Sequence, residues 1–278
     1  MIVDAHHHLW DPAARRHAWL DALPQLHRAF GIAEFSQLAA AHSVTASVLV
    51  QVLASAAETG EFLALAGRTP LLAGVVGWAD LTDPGVAGEL ARLRQLPGGE
   101  RLAGVRHLVQ DEPDPDWLGR PDVRRGLRAV GDAGLVYDLL VRPGQLPAAI
   151  AAVRDLGDVR FVLDHGGKPD IAHGQAEPWS ILIGELASAP NVSCKLSGLV
   201  TEAGPGWSPA QIAPYANRLL DCFGPDRLMF GSDWPVCTLA ARYDAVFGLA
   251  ETLLVRLSPA ERDSVLAGTA ARWYGLRL

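Results

Sequence analysis

Three consecutive histidines, His6, His7 and His8, follow a short apolar run at the start of the chain. Side chains alternate along a β-strand, so His6 and His8 are predicted to share one face while His7 points to the other. Two neutral imidazoles that converge can bind a divalent metal such as zinc, and they can equally hydrogen-bond a substrate carbonyl without metal. A chance run or an expression tag is disfavoured, because only three histidines occur and they continue a hydrophobic strand pattern.

The ends of the other apolar runs also carry polar side chains. These are Gln51; Trp78 and Asp80; Arg106 and His107; Tyr137 and Asp138; residues 164–168; Lys195 and Ser197; and residues 231–235. Burying a polar atom without a partner costs free energy, so polar groups at every strand end are hard to explain by packing alone. The pattern indicates that the strand ends meet around one functional site.

Eight apolar, β-branched runs, each followed by a segment of helical periodicity, predict the elements that hold these groups. The predicted strands are residues 2–5, 46–52, 71–77, 103–108, 135–141, 159–164, 192–196 and 227–231. Eight strand–helix units predict an α/β fold, a (β/α)8 TIM barrel that forms one domain over residues 1–278. A doubly wound open sheet is the alternative, but it would normally bring a glycine-rich phosphate loop after the first strand, where histidines stand here.

Several helix boundaries are predicted from capping residues. Asp83 and Pro84 suit the N-cap and first turn of one helix, and Ser208 and Ser258 each begin a capping box. Gly134 is predicted to end the helix that precedes the fifth strand.

Composition narrows the class of function. The formal net charge is −7 and the pI about 5.7, which argues against a nucleic-acid partner. No apolar run is long enough to span a membrane, and no signal peptide is evident, so a cytoplasmic protein is expected. The three cysteines form no CxxC pair and are expected to be reduced thiols. The expected partner is a small-molecule substrate, and neither a nucleic acid nor a membrane is expected to bind. Whether the chain forms a homo-oligomer is left open.

Taken together, the motifs resemble the amidohydrolase superfamily. The nearest resemblance is to the amidohydrolase-related branch that contains sugar-acid lactonases of the L-fuconolactonase and L-rhamnonolactonase type and the 2-pyrone-4,6-dicarboxylate hydrolase. The matching segments are residues 4–10, 104–107, 164–169, 194–198 and 230–235, in the family's order. The resemblance implies a metal-dependent-hydrolase-like barrel with an enzymatic function, a hydrolase acting on a lactone or other carboxylic ester.

The resemblance also implies residue roles. His6 and His8 correspond to the family's HxH pair, His165 to its strand-six histidine and Asp233 to its strand-eight aspartate. It implies that Asp233 accepts a proton from the attacking water. The three histidines either hold one divalent metal together with Asp233, zinc being the first choice, or polarise the carbonyl directly, because some relatives work without metal. Strand four carries no lysine, so a carboxylated lysine bridging two metals is not expected.

Six further residues are candidate substrate contacts, each with a structural alternative. They are Trp10, Arg106, His107, Tyr137, Lys195 and Trp234. The guanidinium fork of Arg106 suits a substrate carboxylate or hydroxyl, but it could instead pair with Asp138 or Asp164 in the barrel wall. Lys195 is likewise either a substrate ligand or a member of a wall ion pair. The two tryptophans could line the pocket against a sugar ring or pack beneath the loops.

The sequence therefore predicts a hydrolase of carbohydrate metabolism that opens a sugar-acid lactone by Asp-assisted water attack at the C-terminal mouth of a barrel. A metal-dependent decarboxylase on the same fold is the runner-up. A deoxyribonuclease on this fold would need a metal-binding glutamate after a middle strand and a basic mouth, and neither is evident. A barrel that had become a non-catalytic binding protein would be expected to have lost Asp233, which is present.

Overall fold

Eight parallel strands form one sheet in the computed structural model, which describes residues 1–278. The strands are β1 (Ile2–His7), β2 (Val44–Val50), β3 (Leu72–Gly77), β4 (Leu102–His107), β5 (Val136–Leu139), β6 (Arg160–Leu163), β7 (Val192–Leu196) and β8 (Leu228–Phe230). They pair in chain order, and an isolated parallel bridge between His7 and Trp234 brings the segment after β8 back to β1. The sheet is therefore a nearly closed barrel, and the predicted fold class is confirmed, with strand bounds that differ from the predicted ones by at most two residues.

Helices connect the strands and cover the outside of the barrel. They are α1 (Ile32–Ala41), α2 (Ala56–Ala66), α3 (Val86–Arg94), α4 (Pro121–Asp132), α5 (Leu146–Asp155), α6 (Trp179–Ala187), α7 (Leu199–Ala203), α8 (Pro209–Phe223), α9 (Tyr243–Leu253), α10 (Pro259–Asp263) and α11 (Thr269–Tyr274). None of these helices is both long and apolar enough to cross a membrane.

The capping predictions had mixed outcomes. Ser208 and Ser258 accept hydrogen bonds from the backbone N–H three residues later and begin α8 and α10. The full capping box, with a side-chain bond returning to the cap, forms at Ser258 and not at Ser208. The predicted start of α3 at Asp83 is wrong. The carboxylate of Asp83 instead accepts from the N–H of Gly85 at 2.7 Å, which holds a local turn, and the helix begins only at Val86.

The barrel interior changes character along its axis. Its lower part is apolar, and Val3, Val48, Val136, Val162 and Met229 pack there against residues of the C-terminal segment. Above this layer the inward side chains become charged, and at the C-terminal ends of the strands they become histidines and an aspartate. A larger apolar core lies between the outside of the strands and the helices. The polar groups of the site are thus held on a rigid, close-packed base.

Candidate active site

Four side chains converge at the C-terminal mouth of the barrel. His6 Nε2 lies 3.1 Å from His8 Nε2 and 3.7 Å from Asp233 Oδ1. The same carboxylate oxygen lies 3.5 Å from His8 Nε2 and 3.9 Å from His165 Nε2. All four side chains are buried. The structure thus brings together the four residues that were predicted to form the catalytic and metal-binding set.

Local backbone features aim these side chains at one point. The pairing of β1 with β2 shifts register between Asp4 and His7, an irregularity of the kind that re-aims side chains near functional sites. A Cβ atom on Gly231 would lie 2.7 Å from the Cβ of His6, so only glycine allows this close approach. His165 and Asp233 have positive φ angles of 52° and 57°, conformations that are uncommon for residues other than glycine and that occur often at functional sites.

Hydrogen bonds to the far side of two rings fix their orientation. His8 Nδ1 donates to the carbonyl of Val50 at 2.8 Å, which leaves the Nε2 lone pair directed at the cluster. His165 Nδ1 hydrogen-bonds with Ser197 Oγ at 2.9 Å, so its Nε2 also faces the cluster. Contacts of this kind position the histidine ligands of metal sites.

Burial sets the charge state of the cluster. It lowers the pKa of His6 well below the usual range and the pKa of His165 to about 4. Burial alone would raise the pKa of Asp233, but His165 and His8 outweigh it and hold that pKa below its usual value. Near neutral pH the cluster therefore presents uncharged rings at His6 and His165 beside one carboxylate.

A layer of buried ion pairs lies directly beneath the cluster. Lys195 Nζ is 2.6 Å from Asp138 Oδ2, 2.8 Å from Asp164 Oδ1 and 3.0 Å from His6 Nδ1. Arg106 Nη1 donates to Asp164 Oδ2 at 2.9 Å. Burial opposes ionisation of Asp164, but Lys195, His6 and Arg106 hold its pKa well below the usual value. This layer is the wall arrangement that the sequence left open as the alternative to substrate binding.

Comparisons with known proteins decide the family. A family model described as Amidohydrolase matches residues 3–276. The chain belongs to the amidohydrolase family. It is 39% identical to the L-fucono-1,5-lactonase of Burkholderia ambifaria over 277 residues, covering 98% of this chain and 94% of that protein. It is 40% identical to the L-fucono-1,5-lactonase of Burkholderia multivorans over 289 residues, covering 99% and 96%.

The solved structures agree with this assignment. A crystal structure of an amidohydrolase from Burkholderia multivorans with bound zinc superimposes with a TM-score of 0.94 at 39% identity and covers all of both chains. A probable 2-pyrone-4,6-dicarboxylic acid hydrolase from Acinetobacter baumannii, with citric acid bound, gives a TM-score of 0.81 at 20% identity over 99% of each chain, and this likeness concerns the fold alone.

Two of the predicted substrate contacts of this amidohydrolase, Lys195 and Arg106, lie in the layer of buried ion pairs beneath the cluster. Lys195 is fully buried below His6, so the geometry does not support direct contact with a substrate. Arg106 is also buried, and Gln51 and Asp164 occupy its fork, but its Nη1 lies 3.4 Å from His6 Nε2. Arg106 therefore borders the cluster, and its predicted contact with substrate stays a prediction.

The two tryptophans pack beneath the loops. Trp10 donates from Nε1 to the carbonyl of Leu26 at 3.2 Å and packs edge-on against Phe30. Trp234 is 2% exposed and packs against Phe30 and Phe35. The geometry does not support a pocket wall made by either ring, because both rings are engaged in an aromatic cluster.

His107 and Tyr137 lie in different surroundings. His107 accepts from Trp78 Nε1 at 3.1 Å, contacts Glu112 at 2.7 Å through its other nitrogen and stacks on Trp117, so both ring nitrogens are in use. Tyr137 is fully buried on the helix side of β5, in the outer apolar core. The predicted substrate contact of Tyr137 is not supported by the structure, since alternation places its ring outside the barrel.

Three supporting residues were not predicted. Tyr243 donates to Asp4 at 3.1 Å, and Asp4 in turn accepts from the backbone of His6. Tyr274 donates to Asp138 at 2.8 Å. Glu58 accepts from two backbone N–H groups just after β2 and shapes the loop beside the mouth. Sequence offers no signal for the tyrosines, because their partners lie more than a hundred residues away along the chain.

Proposed function

We propose that this amidohydrolase hydrolyses the ester bond of a sugar-acid lactone, with L-fucono-1,5-lactone as the first substrate to test. The observation that carries the proposal is the convergence of His6, His8 and His165 on the ionised carboxylate of Asp233. Identity of about 40% to two L-fucono-1,5-lactonases over nearly the whole chain supports the choice of substrate. Acid release from a panel of sugar-acid lactones, followed with a pH indicator, tests it.

Asp233 is the base in this proposal. Lactone hydrolysis requires that water lose a proton as it attacks the carbonyl carbon, and a carboxylate within hydrogen-bond reach can take that proton. The low pKa of Asp233 keeps it ionised near neutral pH, so it is ready to accept the proton. Its position after β8 places Oδ1 within 3.9 Å of Nε2 of each of the three imidazoles.

The cluster fits a zinc ion. The donor set of three imidazoles and one carboxylate is one that zinc accepts, and donor atoms around a tetrahedral zinc lie about 3.3 Å apart. The observed separations between the Nε2 and Oδ1 atoms of the cluster, from 3.1 to 3.9 Å, bracket that value. The ligand atoms of His6, His165 and Asp233 all lie within 4.8 Å of one another. When bound, zinc would supply Lewis-acid polarisation of the carbonyl. A relative's crystal structure contains zinc, which supports this assignment.

We expect one zinc per chain, measured by elemental analysis after dialysis. His165→Ala should weaken zinc binding at least about tenfold, the loss typical of even an outer-shell partner of a metal ligand. The matched control is His173→Ala, because His173 is exposed and pairs only with Asp170 in a surface loop. Two tightly held zinc ions per chain, none at all, or equal losses in the two variants would contradict the mononuclear site.

Arg106→Ala tests whether Arg106 touches the substrate. Its guanidinium borders the cluster, and its Nε is buried without a partner. If it binds non-reacting atoms of the substrate, the contact exists in both ground and transition states, so KM should rise about tenfold to hundredfold while kcat changes less. Steady-state kinetics separate the two constants. A loss confined to kcat would place Arg106 in the chemical step instead.

A further inference from the structure

A line of buried hydrogen bonds runs along the barrel axis from the active site to the last helix. Below His6, the ammonium of Lys195 lies 3.0 Å from His6 Nδ1 and donates to Asp138 Oδ2 at 2.6 Å. Below Asp138, the hydroxyl of Tyr274 lies 2.9 and 2.8 Å from its two carboxylate oxygens. The line joins the last residue of α11 to the first histidine of the site.

The base of this line is fixed by packing. Tyr274 packs with Val136 and Met229 in the apolar lower part of the barrel. The backbone of the same segment is held by Arg160 at the start of β6, which donates to the carbonyl of Trp273 at 2.8 Å. The ring of Tyr274 therefore closes the lower end of the barrel, and its hydroxyl enters the interior from below.

Asp138 depends on this hydroxyl for its orientation and charge. Burial raises the pKa of Asp138 to about 6, while Lys195 and Tyr274 act in the opposite direction. Tyr274 contacts both carboxylate oxygens, so it fixes the plane of the group as well as its position. Without this bond, the buried carboxylate would have Lys195 as its one remaining side-chain hydrogen-bond donor.

Lys195 is placed between two acids. Its Nζ lies 2.6 Å from Asp138 and 2.8 Å from Asp164, and the 3.0 Å contact with His6 Nδ1 requires that the ammonium stay between them. If Asp138 moves or loses its charge, the ammonium is drawn towards Asp164, and the contact with His6 changes. The ring orientation of a metal-ligating histidine is normally set by the partner of its other nitrogen. Nδ1 of His6 lies 3.3 Å from Asp164 Oδ1, which can accept its proton, and 3.0 Å from Lys195 Nζ, so both charged groups border this nitrogen.

We infer that Tyr274 is a positioning residue for the active site: it holds Asp138, and Asp138 in turn places Lys195 against Nδ1 of His6. The role of His6 as a zinc ligand rests on the proposed function, whereas the contacts from Tyr274 through Asp138 and Lys195 to His6 do not depend on it. The inference gives Lys195 and Asp138 a part in the site although neither can touch a substrate. It also means that α11, which lies at the lower end of the barrel, supports the active site at the other end.

Tyr274→Phe tests the inference, because it removes the hydroxyl and keeps the ring that closes the barrel. The matched control is Tyr215→Phe, in which the ring packs against Trp179 between helices. In Tyr274→Phe we expect zinc affinity, measured by chelator competition, and kcat each to fall about 10–100-fold, with KM within about twofold of wild type. Tyr215→Phe should leave zinc affinity, kcat and KM unchanged. Wild-type zinc affinity and kcat in a folded Tyr274→Phe protein would overturn the inference.

A second readout does not depend on metal or substrate. In the metal-free protein labelled with ¹⁵N-histidine, the Nδ1 resonance of His6 should shift in Tyr274→Phe and stay in place in Tyr215→Phe. His6→Gln identifies the resonance by its loss. An unchanged His6 resonance would overturn the inference. A shifted resonance in a protein that opens no lactone and binds no zinc would support the positioning line and contradict the proposed function instead.

A double-mutant cycle tests the route through Asp138. If Tyr274 acts through Asp138, then Tyr274→Phe in an Asp138→Asn background should cost little further zinc affinity or kcat. Losses that simply add would show that the hydroxyl acts by another route and would overturn the proposed line. Thermal unfolding of all four proteins confirms that each comparison is made between folded chains.

Discussion

Asp233→Asn is expected to remove turnover and to weaken zinc binding, while leaving the fold and substrate binding almost intact. Asparagine has nearly the same size, and it tolerates the positive φ of 57° at this position as well as aspartate does. The backbone bonds of Asp233 to His6 and Cys237, both 2.8 Å, do not involve the side chain and should persist. The amide cannot accept a proton from water near neutral pH, so kcat should fall about 10²–10⁴-fold.

A surface variant, Asp170→Asn, serves as the matched control for Asp233→Asn. Asp170→Asn changes a carboxylate in a loop, where it pairs with exposed His173 at 2.7 Å, and it should leave kcat unchanged. If Asp233 only capped the loop after β8, the Asn variant would instead keep its activity within about tenfold of wild type and lose stability. Steady-state kinetics and thermal unfolding on both variants distinguish these outcomes.

Lys195→Met is expected to produce the largest loss of stability. The substitution keeps most of the length of the side chain but removes the charge that Asp138 and Asp164 share in a fully buried site. Removing one partner of a buried ion pair leaves an uncompensated charge, and the free energy of unfolding should fall about 3–5 kcal/mol. Urea unfolding with a constant m-value measures the change.

The chain has one other lysine, and it provides the control. Lys168 lies 3.2 Å from Glu202, and both side chains are about one-fifth exposed. Lys168→Met should therefore lower the free energy of unfolding by about 1 kcal/mol or less. Similar losses for Lys168→Met and Lys195→Met would mean that the buried layer contributes no more to stability than a partly solvated pair, and would contradict the stabilising role assigned to Lys195.

The barrel could be predicted because each strand is a short apolar run and each helix has an amphipathic pattern. Those patterns reflect burial on both faces of a strand and on one face of a helix. The start of α3 could not be predicted in this way, because Asp83 can cap a helix or hold a local turn, and here it holds the turn. The short helix α7 (Leu199–Ala203) was not predicted, since five residues carry too little periodicity.

The four residues of the cluster could be predicted because they stand at strand ends, where barrel enzymes place their chemistry. The role of Lys195 could not, because Lys195 is the penultimate residue of β7 just as His6 is of β1, and the sequence does not show which of the two side chains lies beneath the other. For the two tryptophans the sequence left open a pocket wall or packing beneath the loops. Their ring directions depend on packing against Phe30 and Phe35, which sequence spacing does not specify.

The most direct test of the proposed function is acid release from L-fucono-1,5-lactone by the purified, zinc-loaded protein, followed with a pH indicator beside Asp233→Asn. The proposal predicts one proton per ring opened, no CO2, and a rate in the Asn variant lower by about 10²–10⁴-fold. Failure to open this or any other sugar-acid lactone, release of CO2 from a carboxylated substrate instead, or an Asn variant that turns over within about tenfold of wild type would contradict it.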